Sequence, residues 1–130
     1  MRAALKSDPQ LAPAAYNLAV ILGEKKDLAG AVQWCRKARD LRPEELKYTK
    51  SLAFYLQGHG DKDEAIAVLT KAIQETPSFF DGSAMLAGIY ESRGARKAAA
   101  LVLRDALGQP GFPPQMRGPW QAQVEALEAR

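Results

Sequence analysis

Apolar residues recur along this chain at two spacings at once. At short range they fall at i, i+4 and i+7. Leu18 and Leu22, Leu52 and Leu56, and Leu86 and Tyr90 mark one set of segments; Ala31, Cys35 and Ala38, Ala65, Leu69 and Ala72, and Ala99, Leu103 and Ala106 mark another. This is one face of an α-helix, which returns to the same side every 3.6 residues. No strand-like alternation accompanies it. At long range Pro9, Pro43 and Pro77 stand 34 residues apart, and the columns Leu18/Leu52/Leu86, Ala19/Ala53/Ala87, Ala31/Ala65/Ala99 and Ala4/Ala38/Ala72/Ala106 keep the same step. A fixed period outranks local propensity, because it dictates the architecture. Each period holds two helical segments, so the repeating unit is a helix hairpin, and stacked hairpins build the core that a single pair lacks.

The pattern predicts helices over 12–25, 28–41, 44–58, 62–75, 79–93 and 96–107. Asp61, with Glu64 three residues on, fits a capping pair for the fourth helix, and Gly58 and Gly60 supply the turn before it. Pro43 and Pro77 stand where new helices begin, since proline suits a first turn and breaks an interior. The alanine columns have a steric reason: small side chains let neighbouring axes approach closely. Trp120, Val124 and Leu127 fall at i, i+4 and i+7 after Gly118 and Pro119, which predicts a closing helix with Gln121, Gln123, Glu125 and Glu128 toward water. The organisation expected is a tail of a preceding repeat at 1–11, repeats at 12–45, 46–79 and 80–111, and a C-terminal capping segment at 112–130. Ala4 and Leu5 share the register of a second helix, so the chain starts inside a repeat. An end cut from a longer array would expose apolar surface suited to self-association.

Leu52, Ala53, Leu56, Gly60, Ala65, Leu69, Ala72 and Pro77 carry a family pattern. The chain resembles the tetratricopeptide-repeat family, whose unit places a leucine, small residues, larger apolar residues and a proline at set offsets. The resemblance covers about three repeats and implies an all-α, right-handed superhelix of antiparallel helix hairpins. Departures are visible. Ala15, Thr49 and Ser83 fill a column usually bulky, with Tyr16, Tyr48 and Phe80 nearby to compensate. Lys26 takes the turn column held by Gly60 and Gly94, and the third unit loses its proline register in LGQPGFPP.

Composition limits the chemistry. With 47% hydrophobic and 25% charged residues, the chain is neither disordered nor membrane-spanning, and no apolar run nears the roughly 20 residues of a span. The net charge of +3 is too small to name a nucleic-acid partner. One cysteine and one histidine exclude an internal disulfide and an all-protein Cys/His zinc site, so neither cofactor nor metal is expected. Cys35 shares a column with Leu69 and Leu103 and reads as a small buried hydrophobe. His59 sits between two glycines in a turn, and the DKDE run at 61–64 lacks calcium-loop spacing. With no activated nucleophile and no phosphate loop, an enzyme is not expected. One reduced cysteine in a soluble chain suits cytoplasm and periplasm alike.

Resemblance to the family implies a concave face, lined by first helices, that binds peptide segments. The inward positions give a candidate groove of Tyr16, Asn17, Val20, Lys47, Lys50, Ser51, Phe54 and Met85. Val20, Phe54 and Met85 are suited to apolar anchors, Lys47 and Lys50 to a carboxylate, and Asn17 to a peptide backbone. The expected partner is therefore a protein or peptide with apolar anchors and an acidic group. Family members that clamp a chaperone's C-terminal tail use lysine, asparagine and arginine at places held here by Tyr16, Val20, Ser51, Asp81 and Met85, so that ligand is disfavoured. Two other readings stay open. The repeats fit an assembly module of a larger enzyme or electron-transfer protein. Alternatively Arg36, Lys37, Arg39 and Arg42 form a convex basic patch for nucleic acid, although Asp40 interrupts them and a solvated helix face is the simpler reading. Trp34, if exposed beside that cluster, would mark a convex contact.

Overall fold

The computed structural model describes residues 9–129. The expected tail of a preceding repeat over the first eight positions lies outside the described residues. Among the described residues seven helices follow one another: α1 (Leu11–Glu24), α2 (Leu28–Leu41), α3 (Leu46–Gly58), α4 (Lys62–Glu75), α5 (Phe80–Ser92), α6 (Arg96–Leu107) and α7 (Pro114–Glu128). There is no strand among the described residues. The chain divides into two compact units, Met1–Val68 and Leu69–Arg130, with the division inside α4.

The turns inside the hairpins show why the period works. After α1, Lys26 donates its amide to the Gly23 carbonyl at 3.0 Å and Asp27 to that of Leu22 at 2.8 Å. Gly60 to Gln57 (3.0 Å) with Asp61 to Leu56 (2.8 Å), and Gly94 to Glu91 (2.9 Å) with Ala95 to Tyr90 (2.8 Å), repeat that pair of bonds. This is a Schellman closure, and it places the second residue past the helix in the left-handed region. The φ values there are 65° for Lys26, 88° for Gly60 and 75° for Gly94. A lysine Cβ is strained in that region where glycine is not. Lys26→Gly should therefore raise stability by roughly 0.5–1 kcal/mol, after allowing for the entropy glycine adds to the unfolded chain. Urea denaturation checks this, and an unchanged midpoint would mean the turn relaxes around the lysine.

The residue that ends each closure also starts the next helix. Asp27 accepts from the Gly30 amide at 3.0 Å and Asp61 from the Glu64 amide at 3.2 Å, whereas Ala95 offers no side-chain cap. The expected reciprocal use of Glu64 is redirected: its carboxylate takes the Arg36 guanidinium of α2. That bond first, with the added attraction of the arginine's charge, holds the Glu64 carboxyl below its ordinary value. Between hairpins, Pro43 and Pro77 occupy the second position of turns closed by Glu45 to Arg42 (3.1 Å) and Phe79 to Thr76 (3.0 Å), so α3 and α5 begin three residues beyond each proline.

In the first unit α1 packs on α2 and α2 on α3. Ala12, Ala15, Ala38 and Tyr48 form one buried cluster, with Tyr16, Trp34 and Leu41 against it. Tyr48 thus supplies the bulk that Ala15 and Thr49 lack. Trp34 is half-buried on this cluster, so the condition for a convex contact at Trp34, full exposure, is not met. The alanine columns behave as their sterics require: Ala19, Ala53, Ala31, Ala65 and Ala99 are fully buried and Ala87 nearly so. The leucine column does not behave uniformly. Leu52 is 0% exposed and Leu86 4%, yet Leu18 is 37% exposed and Ile21, one turn on, 47%. Among the described residues no helix precedes α1, so nothing described covers that face.

In the second unit α5 packs on α6 and α6 on α7 around Ala87, Ala99, Ala100, Leu103, Val124 and Leu127. A turn with Pro110 second and Gly111 third (φ 90°), closed by the Phe112 amide on Gln109 at 3.2 Å, sends the Phe112 ring inward. Phe112 stands edge-on to Phe80 and Trp120, centroids 5.0 Å from each. The closing helix starts earlier than its sequence suggested. Pro113 and Pro114 begin it, which leaves Pro119 inside. Val124 and Leu127 face the core while Gln121, Gln123, Glu125 and Glu128 face water, as their spacing implies. Arg96 of α6 reaches the Ala126 carbonyl at 2.7 Å and that of Leu127 at 3.3 Å, satisfying acceptors that the last turn of α7 leaves open.

Candidate functional site

The α1 and α3 helices of the first unit meet through polar aromatics rather than through aliphatic side chains alone. The Tyr16 phenol and the Ser51 hydroxyl share a hydrogen bond of 3.2 Å, and the Tyr16 and Tyr48 rings lie 5.2 Å apart with a 43° tilt. The Lys47 ammonium stands 5.1 Å from the Tyr16 centroid and 5.6 Å from that of Tyr48. Both π faces attract the cation, so two rings anchored on different helices fix a positive charge at the surface. Tyr48 is itself held from behind: it is buried, and its carbonyl accepts from the Cys35 thiol at 3.4 Å.

Phe54 lies two turns along α3 from Lys47. It is 62% exposed and stands edge-on to Tyr55, with ring centroids 5.5 Å apart. Tyr55 turns toward α1, where a Cβ on Gly23 would come within 2.6 Å of its ring; only a glycine there lets that ring close down. Burial, ahead of the nearby acidic groups, pushes the Tyr55 phenol above its ordinary value. Lys47, Lys50 and Phe54 occupy i, i+3 and i+7 of α3, one face of the helix. Asn17 and Lys50 are exposed and Val20 half-buried. The structure thus brings Tyr16 into contact with both Lys47 and Ser51. Met85 is half-buried on α5, in the second unit. Tyr48 and Tyr55 complete the aromatic frame; the repeat pattern marks Tyr48 only as bulk beside Thr49 and gives no sign of Tyr55, whose ring closes on Gly23 of another helix.

Residues with reactive chemistry are occupied otherwise. Cys35 is fully buried, and burial pushes its thiol up to about 12, against a smaller opposing effect of Arg39. At neutral pH it stays protonated and is a poor nucleophile. His59 is exposed at the end of α3. Among the described residues no three His, Cys, Asp or Glu side chains gather where they could hold a metal ion. The basic cluster is engaged internally: Arg36 with Glu64, Arg39 with Asp40 at 2.8 Å, Arg42 with the Pro9 carbonyl at 2.6 Å, and Lys37 over the Trp34 ring at 5.3 Å. A hollow of about 450 Å³ beside α6 and α7 is lined by Arg104, Leu107, Gly108, Arg117, Gln121, Val124 and Glu125. Its two guanidinium groups are also taken, by Glu128 and by the Leu107 carbonyl. No helix among the described residues is long and apolar enough to cross a membrane.

Comparison with known proteins bears on the fold. The chain matches the tetratricopeptide repeat family over residues 1–45 and 51–114. No curated protein matches it. Among solved structures, the crystal structure of PcrH from Pseudomonas aeruginosa is similar with a TM-score of 0.74, at 14% identity, over 92% of this chain and 93% of that chain. At so low an identity the likeness speaks for the fold alone. Repeats of this type typically mediate contacts between proteins and are usually non-catalytic. The 34-residue columns, the repeated hairpin closures and the family match over most of the sequence have one reading: the chain belongs to the tetratricopeptide-repeat family.

Proposed function

We propose that this chain is a protein-binding module, without chemistry of its own, that holds a peptide segment of a partner across α1 and α3. The observation that carries the reading is Phe54. A phenylalanine 62% exposed, on the same helix face as two lysines, offers a large apolar surface flanked by cations that a partner's apolar group would desolvate. Aromatic side chains of this kind supply a large share of binding energy when a partner desolvates them. Phe54→Ala and Lys50→Glu should each abolish capture of the partner in affinity purification while leaving helical circular dichroism intact, because both side chains are exposed. Arg39→Glu, on α2, should leave capture unchanged. Capture that survives both groove substitutions would move the interaction to another face.

A second reading has its own observation. Leu18 and Ile21 present an apolar strip on α1, which suits a contact with another domain or another copy in a larger assembly. Such an assembly module would keep its contacts when Phe54 is replaced and lose them when Leu18 and Ile21 become polar.

A further inference from the structure

We infer that the α1/α3 face selects an extended segment in which an acidic residue and a large apolar residue stand three positions apart, the acid on Lys47 and the apolar side chain on Phe54. This rests on the peptide-binding reading of the same face and adds what the peptide must carry.

The inference starts from Lys47. An exposed lysine ordinarily samples many rotamers and loses that freedom on pairing with an anion. Here the ammonium is held on one side of the Tyr16 and Tyr48 ring pair, 5.1 and 5.6 Å from centroids that are themselves 5.2 Å apart, and Tyr16 is fixed in turn by Ser51 at 3.2 Å. Part of the ordering cost is met before a ligand arrives, and the two rings leave the charge without neutralising it. A neutral or basic ligand gains nothing at such a point, whereas a carboxylate gains a charge-assisted hydrogen bond.

Spacing then sets the register. Seven residues of helix separate Lys47 from Phe54, about 10.5 Å along α3. A polyproline-like extended chain advances roughly 9 Å in three residues and brings the third back to the same side. A β-strand puts residues three apart on opposite faces. A partner helix would match with a seven-residue interval, but its backbone is already hydrogen-bonded to itself. The Tyr16 and Ser51 hydroxyls beside Lys47 are donors and acceptors of the kind an unpaired peptide backbone uses, and Asn17, next to Tyr16 in α1, is exposed.

The test is selection of a random twelve-residue peptide display library on the whole chain, followed by fluorescence anisotropy with the enriched peptides, amidated at their C-termini. Enriched peptides should carry Asp or Glu three positions from Leu, Phe, Trp or Met. Lys47→Met should weaken them about tenfold or more, the size of a charge-assisted bond. Lys47→Arg should restore most of the affinity. Changing the peptide's acid to its amide should weaken binding to the unaltered chain and add little further loss with Lys47→Met. Peptides that depend on Phe54 but show no acid at that interval, or show it seven residues away, would overturn the inference and leave the peptide-binding reading standing. A selection that yields no peptide weakened by Phe54→Ala overturns both.

Discussion

Phe112→Ala should lower stability by about 3–5 kcal/mol, the range for removing a buried aromatic ring. The ring is 4% exposed and fills the space between Phe80 at the start of α5 and Trp120 in α7, with the Arg117 guanidinium 5.5 Å from its centroid. Its loss removes two edge-to-face contacts and leaves a void, because the Pro110–Gly111 turn that delivers it cannot bring another side chain to the same place. Domains of this size are stable by only about 5–15 kcal/mol, so a loss of that size shows plainly in urea denaturation followed by far-ultraviolet circular dichroism. Trp120 fluorescence should shift to the red in the same variant as its ring gains water. Phe112→Leu, which keeps most of the volume, should cost less than half as much. A cost below about 1 kcal/mol for the alanine variant would mean that the segment between α6 and α7 is not packed in solution.

That segment also shows where sequence reasoning stops. The helices of the repeats were legible to within two residues at either end, because the period writes the same steric demand several times: Ala31, Ala65 and Ala99 are all fully buried for the same reason. Beyond α6 the period ends, and only local signals guide the reading. Pro119 fits a helix start, yet Pro113 and Pro114 already provide one, and the helix runs on through Pro119. It can do so because Gln115, whose carbonyl loses its amide partner, is exposed to water, as is Pro119 itself. The setting of Trp34 is open in the sequence for a related reason. Its own helix gives no hint that Ala12 and Ala15 of another helix leave room for an indole. The candidate binding face was partly legible. Spacing placed Lys47, Lys50 and Phe54 together, but the approach of the Tyr16 ring of α1 to Lys47 is a tertiary contact that no period encodes.

Leu52→Ala and Leu18→Ala are the same substitution in the same column, and their costs should differ severalfold. Leu52 is fully buried on α3, which packs against α2, and truncating it should cost about 2–5 kcal/mol from lost transfer energy and the cavity left behind. Leu18 is 37% exposed, so its truncation removes a contact already shared with water and should cost roughly 1 kcal/mol. Side-by-side urea midpoints measure the difference, with Leu52→Met as a volume-conserving control expected to lose under about 1.5 kcal/mol. The comparison separates two things that a repeat pattern merges. Recurrence reports that two positions have the same chemistry; burial depends on what lies against them. If Leu18→Ala proves as costly as Leu52→Ala, the Leu18 and Ile21 strip is covered in solution. A fall in that cost on dilution would then identify the cover as a second copy, because stability gained from association depends on protomer concentration and stability gained within one chain does not.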